Sequence, residues 1–166
     1  ARRLFTEHPT LRFQAPAASE KLATQMRELL QEAKLPADLV TISQGDSHAL
    51  MQRAACGVIA SGTATLEAAY YGLPYCLVYR IAWPTYFMGK LLVKIDYIGL
   101  VNILANKLVV EEFIQGDADP CHIQHALDRF LTDPSHTAKV QAELAETAAK
   151  LGEPGCHKRA AQCIAQ

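Results

Sequence analysis

At 166 residues, half of them hydrophobic, the chain is long enough to bury one substantial core but too short to hold two comfortably. Its formal net charge of -1 excludes the broad basic face with which nucleic-acid binders gather phosphates, so a nucleic-acid partner is not expected and recognition must be local. No apolar run is as long as a membrane-spanning helix, no signal-peptide core follows Ala1-Arg2-Arg3-Leu4-Phe5, and the five scattered cysteines form no C-x-x-C, so reduced thiols in a cytosolic protein are expected.

In chain order, Arg2-Arg3-Leu4-Phe5 reads as the end of a helix, and Leu11 to Ala15 as a strand. A helix is predicted from Ser19, as N-cap, through Ala33, with Leu22, Met26, Leu29 and Leu30 on one face. Leu39 to Ser43 is the next strand, Gln44-Gly45-Asp46 a turn, and Asp46 or Ser47 caps a helix running to Ala55. Gly57 to Ala60 is a short buried strand. Ser61-Gly62-Thr63-Ala64-Thr65-Leu66-Glu67 then turns into a helix that Gly72 and Pro74 stop, and Pro74 to Tyr79 is a further strand. Trp83 to Val93 reads as a helix with Pro84 in its first turn, and Leu100 to Leu104 as a short extended piece. The remainder is helical: roughly Pro120 to Leu131, Pro134 to Leu151, and a last helix from Pro154 or Gly155. Strands alternating with helices predict an α/β domain with a Rossmann-like parallel sheet followed by C-terminal helices. No strand precedes the first helical residues, so the central strand of a doubly wound sheet is expected to be missing and the sheet to have a gap in its middle.

The strand–turn–helix at Ser61 to Glu67 has the makings of an anion site. The first amides of a helix lack intrahelical partners and carry the positive end of its dipole, and Gly62 would let a ligand come close to the backbone. Glu67 lies one turn beyond Thr63, where a carboxylate can accept hydrogen bonds from ribose hydroxyls. Diphosphate at the turn and ribose at the glutamate describe a nucleotide. The competing reading is an ordinary Ser/Thr N-cap with a solvent-exposed glutamate.

Four blocks in this order and spacing carry a resemblance: Ala60 to Glu67; Val78-Tyr79-Arg80; Leu91-Leu92-Val93-Lys94 with Asp96-Tyr97; and Val101-Asn102-Ile103-Leu104-Ala105. The chain resembles the C-terminal half of lipid-A-disaccharide synthase, an inverting glycosyltransferase of the GT-B type. The resemblance implies that residues 1–166 are a single, partial domain holding the UDP-sugar, with the N-terminal acceptor domain and its catalytic base elsewhere. The implied reaction transfers 2,3-diacylglucosamine from UDP to 2,3-diacylglucosamine 1-phosphate (lipid X) and releases UDP; the UDP-sugar is a substrate, and no cofactor is expected. It also implies roles. Ser61, Gly62 and Thr63 would bind the diphosphate and Glu67 the ribose, with Gln44, Gly45 and Ser47 in the loop beside the uracil. Arg80 would neutralise phosphate charge as UDP leaves, and Asn102 would act at the active site, with Val101 where the family usually has proline. The fragment by itself is expected to bind UDP weakly without turnover.

Other readings stay open. Another UDP-sugar GT-B enzyme, resembling the peptidoglycan N-acetylglucosaminyltransferase or UDP-N-acetylglucosamine 2-epimerase, would share the turn and glutamate. A non-catalytic module that makes homo-oligomers through its C-terminal helices is a third. Trp83, Tyr86 and Phe87 interleave with Lys90 and Lys94, which suits a headgroup region and a peripheral position on the inner face of the inner membrane, or else a packed core. Cys121, His122 and His125 lack a fourth ligand nearby, so no metal is expected.

Overall fold

The structure, a computed structural model, describes residues 1–36, 38–60, 62–80, 96–152 and 155–164. Ser61 and the predicted helix from Trp83 to Val93 lie outside the described residues. Those described form α1 (Arg2–Glu7), β1 (Phe13–Ala17), α2 (Glu20–Glu32), β2 (Val40–Gln44), α3 (Ser47–Arg53), β3 (Gly57–Ala60), α4 (Ala64–Tyr70) and β4 (Tyr75–Tyr79). After them come α5 (Leu100–Ala105), β5 (Glu112–Ile114), a 3-10 turn (Gln115–Asp117), α6 (Pro120–Thr132), α7 (Pro134–Ala149) and α8 (Cys156–Ile164).

All strand pairs are parallel, as the alternation of strands and helices predicts, and they fall into two separate sheets. One is β1-β2; the other runs β3-β4-β5. The expected break in the middle of the sheet is therefore present, between β1 and β3.

Strand β4 is the centre of the second sheet. Tyr75, Cys76 and Leu77 have no exposed surface, a continuous buried run typical of a parallel strand covered on both faces. Tyr75 and Leu77 join Ile59, Ala68, Val101, Val140 and Leu144 on the face covered by α4, α5 and α7. Cys76 points the other way, to Leu4, Ala126 and Leu127 of α1 and α6. Burial pushes the thiols of Cys76 and Cys56 up, to about 12 and about 11, so both stay protonated at neutral pH.

Helix α2 begins where predicted, its N-cap Ser19 hydroxyl accepting the Leu22 amide at 3.3 Å. Its inward stripe differs from the predicted one. Ala23 is buried with Met26 and Leu30 half-buried, whereas Leu22 and Leu29 are 46% and 63% exposed. The small Ala23 is the buried residue of this helix.

The segment expected to be extended, Leu100 to Leu104, is helix α5 instead. Its start is stabilised by a distant residue, because the Glu112 carboxylate accepts the amides of Ile98 at 2.8 Å and Gly99 at 2.9 Å. A carboxylate at a helix N-terminus satisfies orphan donors and meets the positive dipole end. Strand β5 was not foreseen; it is three residues long and depends on pairing with β4.

Helices α6 and α7 begin with Asp-Pro. Asp119 accepts the amides of Cys121 and His122, and Asp133 those of Ser135 and His136. Asp133 is also the C-cap of α6, so one residue separates the two helices, and Phe130 packs against the apolar clusters on both faces. Hydrogen bonds from His122 and Cys121 hold the Asp119 carboxyl below its ordinary value, and bonds from Ser135 and His136 do the same for Asp133. A depressed folded-state pKa contributes stability that is present above the unfolded value and lost as pH falls through the folded one. Helicity followed by circular dichroism should therefore decline on acidification below the usual carboxylate range. Asn at both positions, an equally good cap without a titration, should remove the part of that decline due to these helix starts.

Candidate functional site

The carboxyl ends of parallel strands are where open α/β sheets bind ligands, and three such ends carry the predicted residues. Beyond β2, Gly45 has φ +76, a left-handed conformation that glycine adopts without strain, and Ser43 donates to the Asp46 carboxylate at 2.6 Å. This closes the turn that presents Gln44 and Gly45 to solvent and leads into Ser47, the half-buried first residue of α3.

Beyond β3, Gly62 has φ +140, and a Cβ built on it would meet nothing within 4 Å. Glycine is thus required at this position by backbone conformation, with open space beside it. Thr65 is completely buried; its hydroxyl donates to the Gly62 carbonyl at 2.6 Å, and the Tyr75 hydroxyl donates to the Thr65 carbonyl at 3.3 Å. The second threonine of the motif is thus an anchor that locks the turn onto β4, while Gly62 and Thr63 stay exposed. The amides of Thr65, Leu66 and Glu67 are used within the turn, bonded to Gly62 and Thr63 carbonyls. Those of Gly62, Thr63 and Ala64 donate to no described residue.

Glu67 extends towards α3, and its Oε2 lies 3.1 Å from His48 Nε2. The His48 ring also packs against Tyr71, with centroids 5.8 Å apart. His48 is the residue that sequence reasoning missed. It links the turn after β2 to the turn after β3 and holds one glutamate oxygen, Oε2; its place in the first turn of α3, directly after Ser47, was the available signal.

Arg80 follows β4 on the same crest, two residues beyond Val78, the register partner of Ala60. It is exposed, and its Nη2 donates to the Ala118 carbonyl at 2.6 Å, so the guanidinium is tethered beside the 3-10 turn. Asn102 is in a different situation. It has no exposed surface; its Nδ2 donates to the Val110 carbonyl at 2.8 Å and to Glu112 Oε1 at 2.7 Å, and its Oδ1 accepts the amides of Val109 at 2.8 Å and Val110 at 3.0 Å. All its hydrogen-bonding capacity is directed into the protein.

The structure thus joins Gln44, Gly45, Ser47, Gly62, Thr63 and Glu67 into one ledge through His48. It sets Arg80 further along the crest and places Asn102 in the core beneath. Among the described residues one His/Asp/Glu trio converges, Glu7, His8 and Asp128, where α1 meets α6, and its His8–Asp128 pair is 2.7 Å apart. Cys121, His122 and His125 are not part of it; the His122 ring stacks on Phe113 with Nδ1 at the Asp117 carbonyl.

Residues 1–166 match the family profile described as lipid-A-disaccharide synthetase. Similar curated proteins include the lipid-A-disaccharide synthase of Geobacter sulfurreducens, 36% identical over 164 residues, covering 99% of this chain and 42% of the relative. That of Persephonella marina is 32% identical over 163 residues, 97% of this chain and 43% of the relative. That of Pseudomonas syringae pv. tomato is 44% identical over 133 residues, 80% and 34% respectively. The chain therefore spans about two-fifths of the length of the first two relatives.

Proposed function

Because the chain belongs to the lipid-A-disaccharide synthetase family, we propose that it is the nucleotide-sugar half of a glycosyltransferase of lipid A biosynthesis. In this reading it holds UDP-2,3-diacylglucosamine while the 6-hydroxyl of lipid X attacks the anomeric carbon, the bond to UDP breaks, and a base outside this chain takes the hydroxyl proton. The observation that carries the reading is the match along residues 1–166.

The ledge supports it. Amides of Gly62, Thr63 and Ala64 that donate to no described residue suit a diphosphate, with Ser61 assigned there by its place in the motif. Glu67, steadied by His48, suits paired ribose hydroxyls, and the Gln44–Ser47 turn lies on the His48 side, where the base would sit. Arg80, held by Ala118, offers a fixed positive charge to the departing diphosphate. Asn102 enters this proposal as a positioning residue, since its polar atoms bond the protein from within the core. Both substrates are acylated, so contact with a bilayer through Trp83, Tyr86, Phe87, Lys90 and Lys94, on the inner face of the inner membrane, belongs to the same proposal. No helix among the described residues is long and apolar enough to cross a membrane.

Titration calorimetry with UDP tests the ledge. UDP should bind the chain, and Glu67→Ala should weaken binding about tenfold or more, the worth of charge-assisted hydrogen bonds. His48→Ala should weaken it less, by leaving the carboxylate in place but unsteadied. Absence of any UDP heat, or unchanged affinity in Glu67→Ala, would overturn the assignment.

A further inference from the structure

Away from the ledge, one group of side chains converges that the nucleotide reading leaves unused. Helix α1 runs alongside α6 in the same direction: Arg3 meets Cys121, Glu7 meets Gln124 and His8 meets Asp128. Glu7, His8 and Asp128 each offer one ligand atom, and these atoms lie within 4.8 Å of one another. Gln124 and Asp128 stand one turn apart on α6, while Glu7 and His8 are the last residue and the C-cap of α1. The group ties the end of one helix to the flank of the other.

Its charge is unbalanced. Two carboxylates share the space, and among the described residues neither is paired with a lysine or arginine. A neutral His8 leaves both negative charges uncompensated, and the side chains of His8 and Asp128 are only 27% and 32% exposed, so water screens the repulsion in part. The spacing suits a cation. His8 Nε2 and Asp128 Oδ1 are 2.7 Å apart. Ligand atoms held about 2.0–2.2 Å from one ion stand roughly 3 Å from their neighbours around it, so this pair already has nearly the separation of adjacent ligands. Glu7 is exposed at a helix end and closes the remaining distance by rotating its own bonds. Its carboxylate accepts the Gln124 amide at 2.7 Å, the kind of outer contact that orients a metal ligand.

We propose that Glu7, His8 and Asp128 form a site for a divalent transition-metal ion, zinc by the chemistry of its donors, that clasps α1 to α6. One imidazole and two carboxylates suit zinc, whereas calcium and magnesium take oxygen ligands. The role is structural. Asp128 lies nine residues beyond the N-cap Asp119, about 13 Å down α6 from the end that adjoins Ala118 and Arg80, so the ion stands apart from the diphosphate ledge. Helix α1 needs such a clasp. It has six residues, no side-chain cap at its start and one buried residue, Leu4, and a helix that short has little stability of its own.

The test titrates zinc chloride, by calorimetry, into protein freed of metal with a chelator. Zinc should bind, and Asp128→Asn and His8→Ala should each weaken that binding at least tenfold. His125→Ala, a change on the same helix outside the trio, should leave it unaltered. At a hundredfold excess over its Kd, zinc should raise the melting temperature of the parent by roughly 5–10 °C and that of Asp128→Asn hardly at all. Asn at 128 still offers His8 a hydrogen-bond partner, and circular dichroism checks that the variant is folded; should His8→Ala fail to fold, Asp128→Asn decides alone. Absence of zinc heat overturns the proposal. So does zinc held at parental affinity by Asp128→Asn, which places the ion elsewhere, and so does magnesium chloride binding as tightly as zinc. None of these readouts involves UDP, so the outcome is independent of the nucleotide assignment.

Discussion

Asn102→Asp is expected to destabilise the protein by roughly 3–5 kcal/mol, the scale of an uncompensated buried charge, and to lower its melting temperature by roughly 6–20 °C. Asn102 gives its amide protons to Val110 and Glu112 and accepts two backbone amides from a site with no exposed surface. A carboxylate has no proton for either acceptor and sits against another carboxylate. Burial and Glu112 would raise the pKa of the new acid in the folded state above its unfolded value. The charge penalty is then absent in acid and develops as pH rises from the unfolded pKa towards the folded one, on top of the donated bond lost at every pH. Melts across a pH series should show the gap between variant and parent narrowing at low pH without closing, because the protonated acid has one proton for the two acceptors, Val110 and Glu112. Asn102→Ala, which loses the same bonds without adding charge, should be destabilised by a similar amount at every pH. A parent-like melting temperature for both variants would remove Asn102 from the core network.

Leu77→Ala should cost roughly 2–5 kcal/mol, the range for a leucine truncated in a packed core. Leu77 has no exposed surface and contributes to the cluster that joins β3 and β4 to α4, α5 and α7. Val58, on the neighbouring strand opposite Cys76, behaves differently. Val58 lines a cavity between β1 and β3 and is 45% exposed, so Val58→Ala should shift stability by roughly 0.5 kcal/mol or less. Urea midpoints with unchanged slopes would measure both values. A large loss for Val58→Ala would mean that Val58 is packed as tightly as Leu77.

Elements whose signals are local were readable in advance. Ser19, Asp119 and Asp133 start their helices with their own side chains, and the apolar runs at β2, β3 and β4 appear within a residue or two of their positions. The division into two sheets was also legible, because the chain reads as helix before it reads as strand. What escaped depends on distant partners. Helix α5 owes its start to a carboxylate 13 residues away, and β5 owes its existence to β4. In the site, the turns and Glu67 were visible as a motif, but the roles within it were not. Nothing local distinguishes Thr63, exposed on the ledge, from Thr65, buried and bonded to Gly62; that difference is made by β4 beneath. The contact of His48 with Glu67 spans 19 residues and exists only once the two turns stand side by side.

The Asp133 elbow has a mechanical consequence. Helix α6 covers one side of the β3-β4-β5 sheet and α7 the other, with one residue between them and Phe130 touching both interiors. Neither helix can swing away without dragging its neighbour, so the pair behaves as a clothes-peg whose spring is a single residue, its backbone N–H bonded to α6 and its carboxylate to α7. Detachment of the two should be one event with a shared opening free energy, confining independent breathing of this half to the far end of α7.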